Sequence, residues 1–138
     1  MKFRVLIVED DPFIAMDLEG VLSDAGCDVC GVAASEAEAL KMGEATRPSF
    51  AVVDVRLSPG DGRVVARELF RQYDTAVLMA TAHSRELDNL AATGAVACLP
   101  KPYSADDVPA ALRAISELRA GRPVSRFPNH MFALNRPG

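Results

Sequence analysis

Five short apolar runs, at residues 5–8, 29–33, 50–53, 76–80 and 95–99, recur along the chain, each followed by a stretch of helix length. The runs are rich in β-branched or small residues and show no alternating polar side. That composition suits strands covered on both faces of a parallel sheet. Between the runs, apolar residues return at helical spacing. Ile14, Leu18, Val21 and Leu22 form one stripe, and Ala37, Leu40 and Ala45 a weaker one. Val64, Val65, Leu69 and Phe70 form a third, Leu87, Leu90 and Ala91 a fourth, and Val108, Leu112, Ile115 and Leu118 the last. The order is βαβαβαβαβα, which predicts an α/β fold: a doubly wound, five-stranded parallel sheet with helices on both faces.

Local punctuation agrees with this order. Asp11-Pro12 reads as an N-cap followed by proline at the first helical position. Ser35 with Glu38 reads as a capping box. Gly26, Gly94 and Gly121 stand where helices should stop. The 138 residues suffice for one substantial core and not for two. From Gly121 the chain changes character: Pro123, Pro128 and Pro137, with Arg122, Arg126 and Arg136, read as a tail over residues 121–138 with no output domain. Its apolar residues Phe127, Met131, Phe132 and Leu134 fit either a mobile end or a segment docked on the body. The five methionines and Phe70 read as core.

Several function classes are disfavoured. No apolar run approaches the roughly 20 residues of a membrane span, and the opening MKFRVLIVED meets acid too early for a secretory signal. The formal net charge is −4, and the tail carries arginines without acids, so the preceding body holds the acidic excess. Such a body does not suit direct nucleic-acid binding. Cys27, Cys30 and Cys98 cannot all pair, which fits a reducing cytoplasm. Cys27 and Cys30 form a CxxC, but on a strand these positions face opposite sides, so ordinary packing is expected.

In a doubly wound sheet, the loops at the carboxyl ends of the strands build the binding crevice. There the first run ends in Glu9-Asp10-Asp11, the third in Asp54, the fourth in Thr81-Ala82, and the fifth leads to Lys101-Pro102. Converging carboxylates repel one another and need a counter-charge. Mg²⁺, a hard cation that takes oxygen ligands, fits that need. Lys101 and the Thr81 hydroxyl then supply donors for anionic oxygens beside it. A cation, an acyl nucleophile and such donors together describe phosphoryl transfer onto a carboxylate. Neither GxGxxG nor GxxxxGK occurs, so nucleotide-phosphate loops are not indicated.

Over residues 1–120 the sequence resembles the receiver domain of bacterial two-component response regulators. The resemblance rests on VLIVEDD, VVDVRLSPGDG, MATA and LPKP, in that order. It implies a flavodoxin-like (βα)5 receiver in which Asp54 accepts a phosphoryl group from a histidine kinase or phosphotransfer protein. Glu9 and Asp10 would hold Mg²⁺ together with Asp54 and the backbone carbonyl of Arg56. Thr81 would bond one phosphoryl oxygen and Lys101 another, with a cis Lys101-Pro102 bond aiming the lysine inward. Such a single-domain protein would act by phosphorylation-dependent binding of a downstream protein target, as a monomer or weak dimer. It would catalyse only its own phosphorylation and dephosphorylation.

The alternatives are a phosphate sink or shuttle without an output surface, and a Mg²⁺-dependent phosphatase. The second is disfavoured because Arg56 stands where such an enzyme needs a second acid. Asp11 is expected to cap the first helix, although a metal pair displaced by one residue, Asp10 with Asp11, stays open. Arg56 and His83 would flank the phosphoryl group, or would be surface residues. Cys98 occupies a position where the family usually has an aromatic. Activation is therefore expected to act on residues 83–85 and the helix start beyond, rather than through a rotating ring.

Overall fold

The computed structural model describes residues 3–81, 90–101, 103–124, 126–128 and 130–135. In chain order it contains β1 (Arg4–Val8), α1 (Pro12–Asp24), β2 (Asp28–Ala33), α2 (Glu36–Thr46), β3 (Phe50–Asp54), α3 (Gly62–Tyr73) and β4 (Ala76–Thr81). A 3-10 turn at Ala91–Thr93, β5 (Ala97–Pro100), α4 (Asp107–Arg119) and β6 (Phe132–Ala133) follow. The sheet order is β2-β1-β3-β4-β5-β6, with the first five strands parallel. The chain leaves β1 in one direction to reach β2 and then crosses to β3, so a crevice opens between β1 and β3.

Strand alternation divides the core into two layers. Val5 and Ile7 pack with Leu18 and Leu22 of α1 and with Val108, Leu112 and Ile115 of α4. Leu6 and Val8 point the other way, onto Ala39 of α2 and Val65 and Leu69 of α3. Both faces of the central strands are thus dry, and each buried Val, Leu or Ile stabilises the fold by about 1.5–3 kcal/mol. The same alternation separates Cys27 and Cys30, which pack on opposite layers as free thiols.

The expected caps form. Asp11 accepts from Phe13 N and Ile14 N at 2.9 and 3.3 Å, with Pro12 opening α1. The Ser35 hydroxyl accepts from Glu38 N at 3.2 Å, while the Glu38 carboxylate accepts from Ala34 N rather than from Ser35 N.

Three departures from the sequence expectations stand out. The sheet has six strands, not five: Phe132–Ala133 pairs antiparallel with β5, so residues expected as a tail add an edge strand. Ala95 and Val96 precede β5 instead of belonging to it. Met16 and Phe70 are exposed, because α1 buries Ala15, Leu18 and Leu22, and α3 buries Val65, Ala66 and Leu69. Of the fourth stripe, Leu87 lies outside the described residues, whereas Leu90 is fully buried and Ala91 opens the 3-10 turn. Among the described residues, no helix is long and apolar enough to cross a membrane.

Candidate functional site

At the carboxyl ends of β1, β3 and β5 the chain brings Glu9, Asp54 and Lys101 to one place. Glu9 follows β1 and continues its ladder, donating its N–H to Ala33 O at 2.9 Å. Its side chain is 3% exposed, so the carboxylate needs internal partners. Oε2 accepts from Asp11 N at 3.0 Å, and Oε1 lies 3.6 Å from Lys101 Nζ. Burial, reinforced by the neighbouring charge of Asp54, pushes the Glu9 carboxyl up to about 7, against the opposing pull of the Asp11 N–H and Lys101.

Asp54 ends β3 and is buried. Its Oδ1 accepts from Arg56 N at 3.1 Å, and its Oδ2 accepts from Lys101 Nζ at 2.8 Å. Lys101 arrives directly after Pro100, the last residue of β5. Burial works against its charge, but the hydrogen bond and charge of Asp54, with Glu9 beyond, outweigh it and raise the ammonium above its ordinary value. Lys101 is therefore a permanent cation between two buried acids.

Asp10, half-buried, completes the acidic group. One carboxylate oxygen from each of Glu9, Asp10 and Asp54 lies within 4.8 Å of the others. Asp10 Oδ2 also accepts from Ser58 N at 3.1 Å, which ties the turn after β1 to the loop after β3. That loop is pinned from the far side too, where Glu36 N–H donates to Pro59 O at 3.3 Å and Asp61 N–H donates to the Glu36 carboxylate at 3.0 Å. Arg56 lies inside this anchored loop, its backbone beside Asp54. Asp11 is turned away as the cap of α1.

An all-oxygen set of three carboxylates at the mouth of a crevice fits a hard divalent cation, and it would not suit a softer metal that needs sulfur or nitrogen.

Of the residues singled out from sequence, Glu9, Asp10, Asp54 and Lys101 come together. Thr81 ends β4, one position beyond the Asp54↔Ala80 pair and opposite Pro100, but its side chain lies outside the described residues. His83, the segment 83–85 and Pro102, hence the expected cis Lys101-Pro102 bond, also lie outside them. Cys98 is fully buried in β5.

A neighbouring feature escaped the sequence reading. Phe13, Ile14 and Leu18 of α1, with Lys101, Tyr103 and Ala105, line a cavity of about 740 Å³ beside the acidic group. Phe13 is 78% exposed and Met16 63%, unusual for large apolar side chains on a surface helix. The signal was present in Pro12-Phe13-Ile14: three apolar residues in a row cannot all face the core of a helix.

Comparison with known proteins supplies the context. Residues 5–113 match the family model for the response regulator receiver domain. The chain is 34% identical over 119 residues to the transcriptional regulatory protein PdtaR of Mycobacterium tuberculosis, a match covering 84% of this chain and 58% of that protein. It is 36% identical over 85 residues to the phyllosphere-induced regulator PhyR of Methylorubrum extorquens, covering 60% of this chain and 32% of the relative. The chain thus spans less than two thirds of either relative. Among solved structures, the receiver domain of the putative response regulator NarL from Mycobacterium tuberculosis superposes with a TM-score of 0.73 at 30% identity, over 83% of this chain and 97% of that one. The receiver domain of a modulated diguanylate cyclase from Desulfovibrio desulfuricans gives 0.74 at 28% identity, over 81% and 91%.

Proposed function

The chain belongs to the response regulator receiver domain family, and from that premise we propose that Asp54 accepts a phosphoryl group from a histidine kinase or phosphotransfer protein. The observation that carries this reading is the 2.8 Å bond from Lys101 Nζ to Asp54 Oδ2 inside the Glu9, Asp10 and Asp54 grouping. Asp54 is a buried carboxylate with one oxygen held by a backbone N–H and the other by a lysine that can pass to an incoming anion.

In the reaction, an Asp54 carboxylate oxygen forms a bond to phosphorus while the phosphorus–nitrogen bond of the donor phosphohistidine breaks. The electron pair leaves with the imidazole, and an acyl phosphate remains on Asp54. Lys101 moves its hydrogen bond from the carboxylate to a phosphoryl oxygen, and the Thr81 hydroxyl binds another. Glu9, Asp10, Asp54 and the Arg56 carbonyl would hold Mg²⁺. When bound, Mg²⁺ supplies charge neutralisation for the anionic donor and acceptor. The anchored loop from Arg56 to Asp61 keeps the acceptor and the carbonyl in fixed relation, which favours transfer by orientation.

The cavity beside Lys101 gives the donor protein a place to sit. Its exposed Phe13 and the neighbouring Ile14 offer apolar contact within reach of Asp54. Phosphorylation would then control binding of a downstream protein, with the receiver acting as a signalling module.

The test uses radiolabelled phosphate from a small phosphodonor and from a kinase, each with Mg²⁺. Asp54→Asn should abolish labelling from both while circular dichroism stays unchanged. Phe13→Ser should slow transfer from the kinase and leave labelling by the small donor intact. Undiminished labelling of the Asp54→Asn protein would refute the assignment.

A further inference from the structure

Strand β5 leads directly into the site lysine and carries, along its outer edge, a piece of the chain's own later sequence. Ala97 and Cys98 pair with Ala133 and Phe132. Leu134 N and Asn135 N both donate to Val96 O, at 2.8 and 3.2 Å. The Asn135 side-chain amide donates to Ala91 O at 2.7 Å and to Ala95 O at 2.9 Å, closing over the 3-10 turn that leads into β5. Side chains alternate about this edge. Met131 is buried in the layer with α1 and α4, whereas Phe132 and Leu134 pack on the opposite layer, which also contains Cys98.

These contacts have two properties. They cover the edge, since β5 left unpaired on that side would present its N–H and C=O groups to any extended chain. They are also confined to one edge: two ladder pairs, two N–H bonds to Val96 O, one amide clamp and the burial of Met131 hold the described part of the segment. So small a unit opens locally at far less cost than global unfolding.

We propose that residues 131–135 form a releasable strap that masks the outer edge of β5, and that its seating is linked to the loading of the acidic site. The inference rests on the phosphoryl-acceptor reading above. The link is the strand itself. Cys98, beneath the strap, lies three residues from Lys101, and the strap is seated while Lys101 is bonded to the Asp54 carboxylate. Loading requires Lys101 to exchange that bond for one to the new oxygens. A strap fitted to the unloaded arrangement stabilises it, and reciprocity then requires loading to loosen the strap.

Cys98, fully buried, is a built-in reporter. In the 138-residue chain with Cys27→Ser and Cys30→Ser, the rate of Cys98 alkylation by iodoacetamide measures strap opening. Asn135→Ala removes both amide bonds and should speed alkylation roughly tenfold, with circular dichroism unchanged. Phe132→Ala should act in the same direction. Saturation with Mg²⁺ and beryllium fluoride, a phosphoryl analogue seen bound by fluorine NMR, should speed alkylation of the Asn135 parent several-fold. Asn135→Ala should then bind the analogue more tightly, by at most that same factor, which is reached only when its strap is fully open.

Equal alkylation of Asn135→Ala, Phe132→Ala and their parent would overturn the strap. An unchanged rate with the analogue demonstrably bound would overturn the linkage alone. Absence of any bound-fluoride signal would overturn the phosphoryl-acceptor reading and the linkage with it, while the Asn135 comparison would still decide the strap.

Discussion

A Cβ on Gly62 would run into the carbonyl oxygen of Asp54. The first residue of α3 folds back on the end of β3, and Gly62 N donates to Val55 O at 2.9 Å. Glycine is needed for that approach rather than for an unusual backbone angle. Gly62→Ala should therefore displace the Asp54 backbone and lower stability by about 1–3 kcal/mol, the range for overpacking a dense core. Urea unfolding should show the loss, and labelling of Asp54 should slow as well. A variant as stable as the parent would mean that the loop yields without strain.

The turn after β1 separates two neighbouring acids by task. Asp10 faces Glu9 and Asp54, and Asp11 caps α1. Asp10→Asn removes one charged oxygen from the cluster and should weaken Mg²⁺ binding by about tenfold or more in calorimetry. Asp11→Asn should leave binding near the parent value, because asparagine caps helices well and the N–H that Glu9 accepts is backbone. If Asp11→Asn were the more damaging change, the cation would sit one residue further along the chain.

What was legible in the sequence divides along physical lines. Asp54 follows Ala51, Val52 and Val53, and a carboxylate at the end of a strand dry on both faces announces a partner; the same logic marks Glu9 and Lys101. Strand β6 was not legible, since two paired residues behind Pro128 form no periodic run, and Phe132 meets an edge and a core layer distant in sequence. Helical spacing predicted burial for Ile14 and Phe70, yet both are exposed, because Ala15 and Ala66 take the core-facing positions. Small residues carry little hydropathy signal but allow the closest packing. The amide clamp of Asn135 could not be read from spacing at all.

Tyr103 gives the fold a measurable alkaline limit. Burial pushes its hydroxyl from an ordinary 10.0 up to about 12. A folded value raised above the unfolded one means that the stability it contributes is fully present below about pH 10 and is lost as pH rises towards 12. The loss for one such group is on the order of 2 kcal/mol. Tyr103→Phe keeps the ring and removes the titration, so its stability should decline less between pH 10 and 12 than that of the parent. Thermal melts across that window decide the point, and parallel decline in the two proteins would count against a buried tyrosine hydroxyl.

Lys101 is the only positive side chain that the structure places on both Asp54 and Glu9 among the described residues. Lys101→Met preserves most of the apolar stem while leaving two buried acids without their cation. In metal-free buffer this should cost about 1–3 kcal/mol, below the range for fully buried pairs because Lys101 is still 24% exposed. Asp54→Asn made in the same background should recover part of that loss, since it removes one of the stranded charges. The coupling from the double-mutant cycle should be about 1–2 kcal/mol. Urea unfolding in the presence of a chelator supplies all four corners of the cycle. Strict additivity would mean that the 2.8 Å pair carries no net stability, and that Lys101 is held at the site by the path of β5 rather than by the acids it meets.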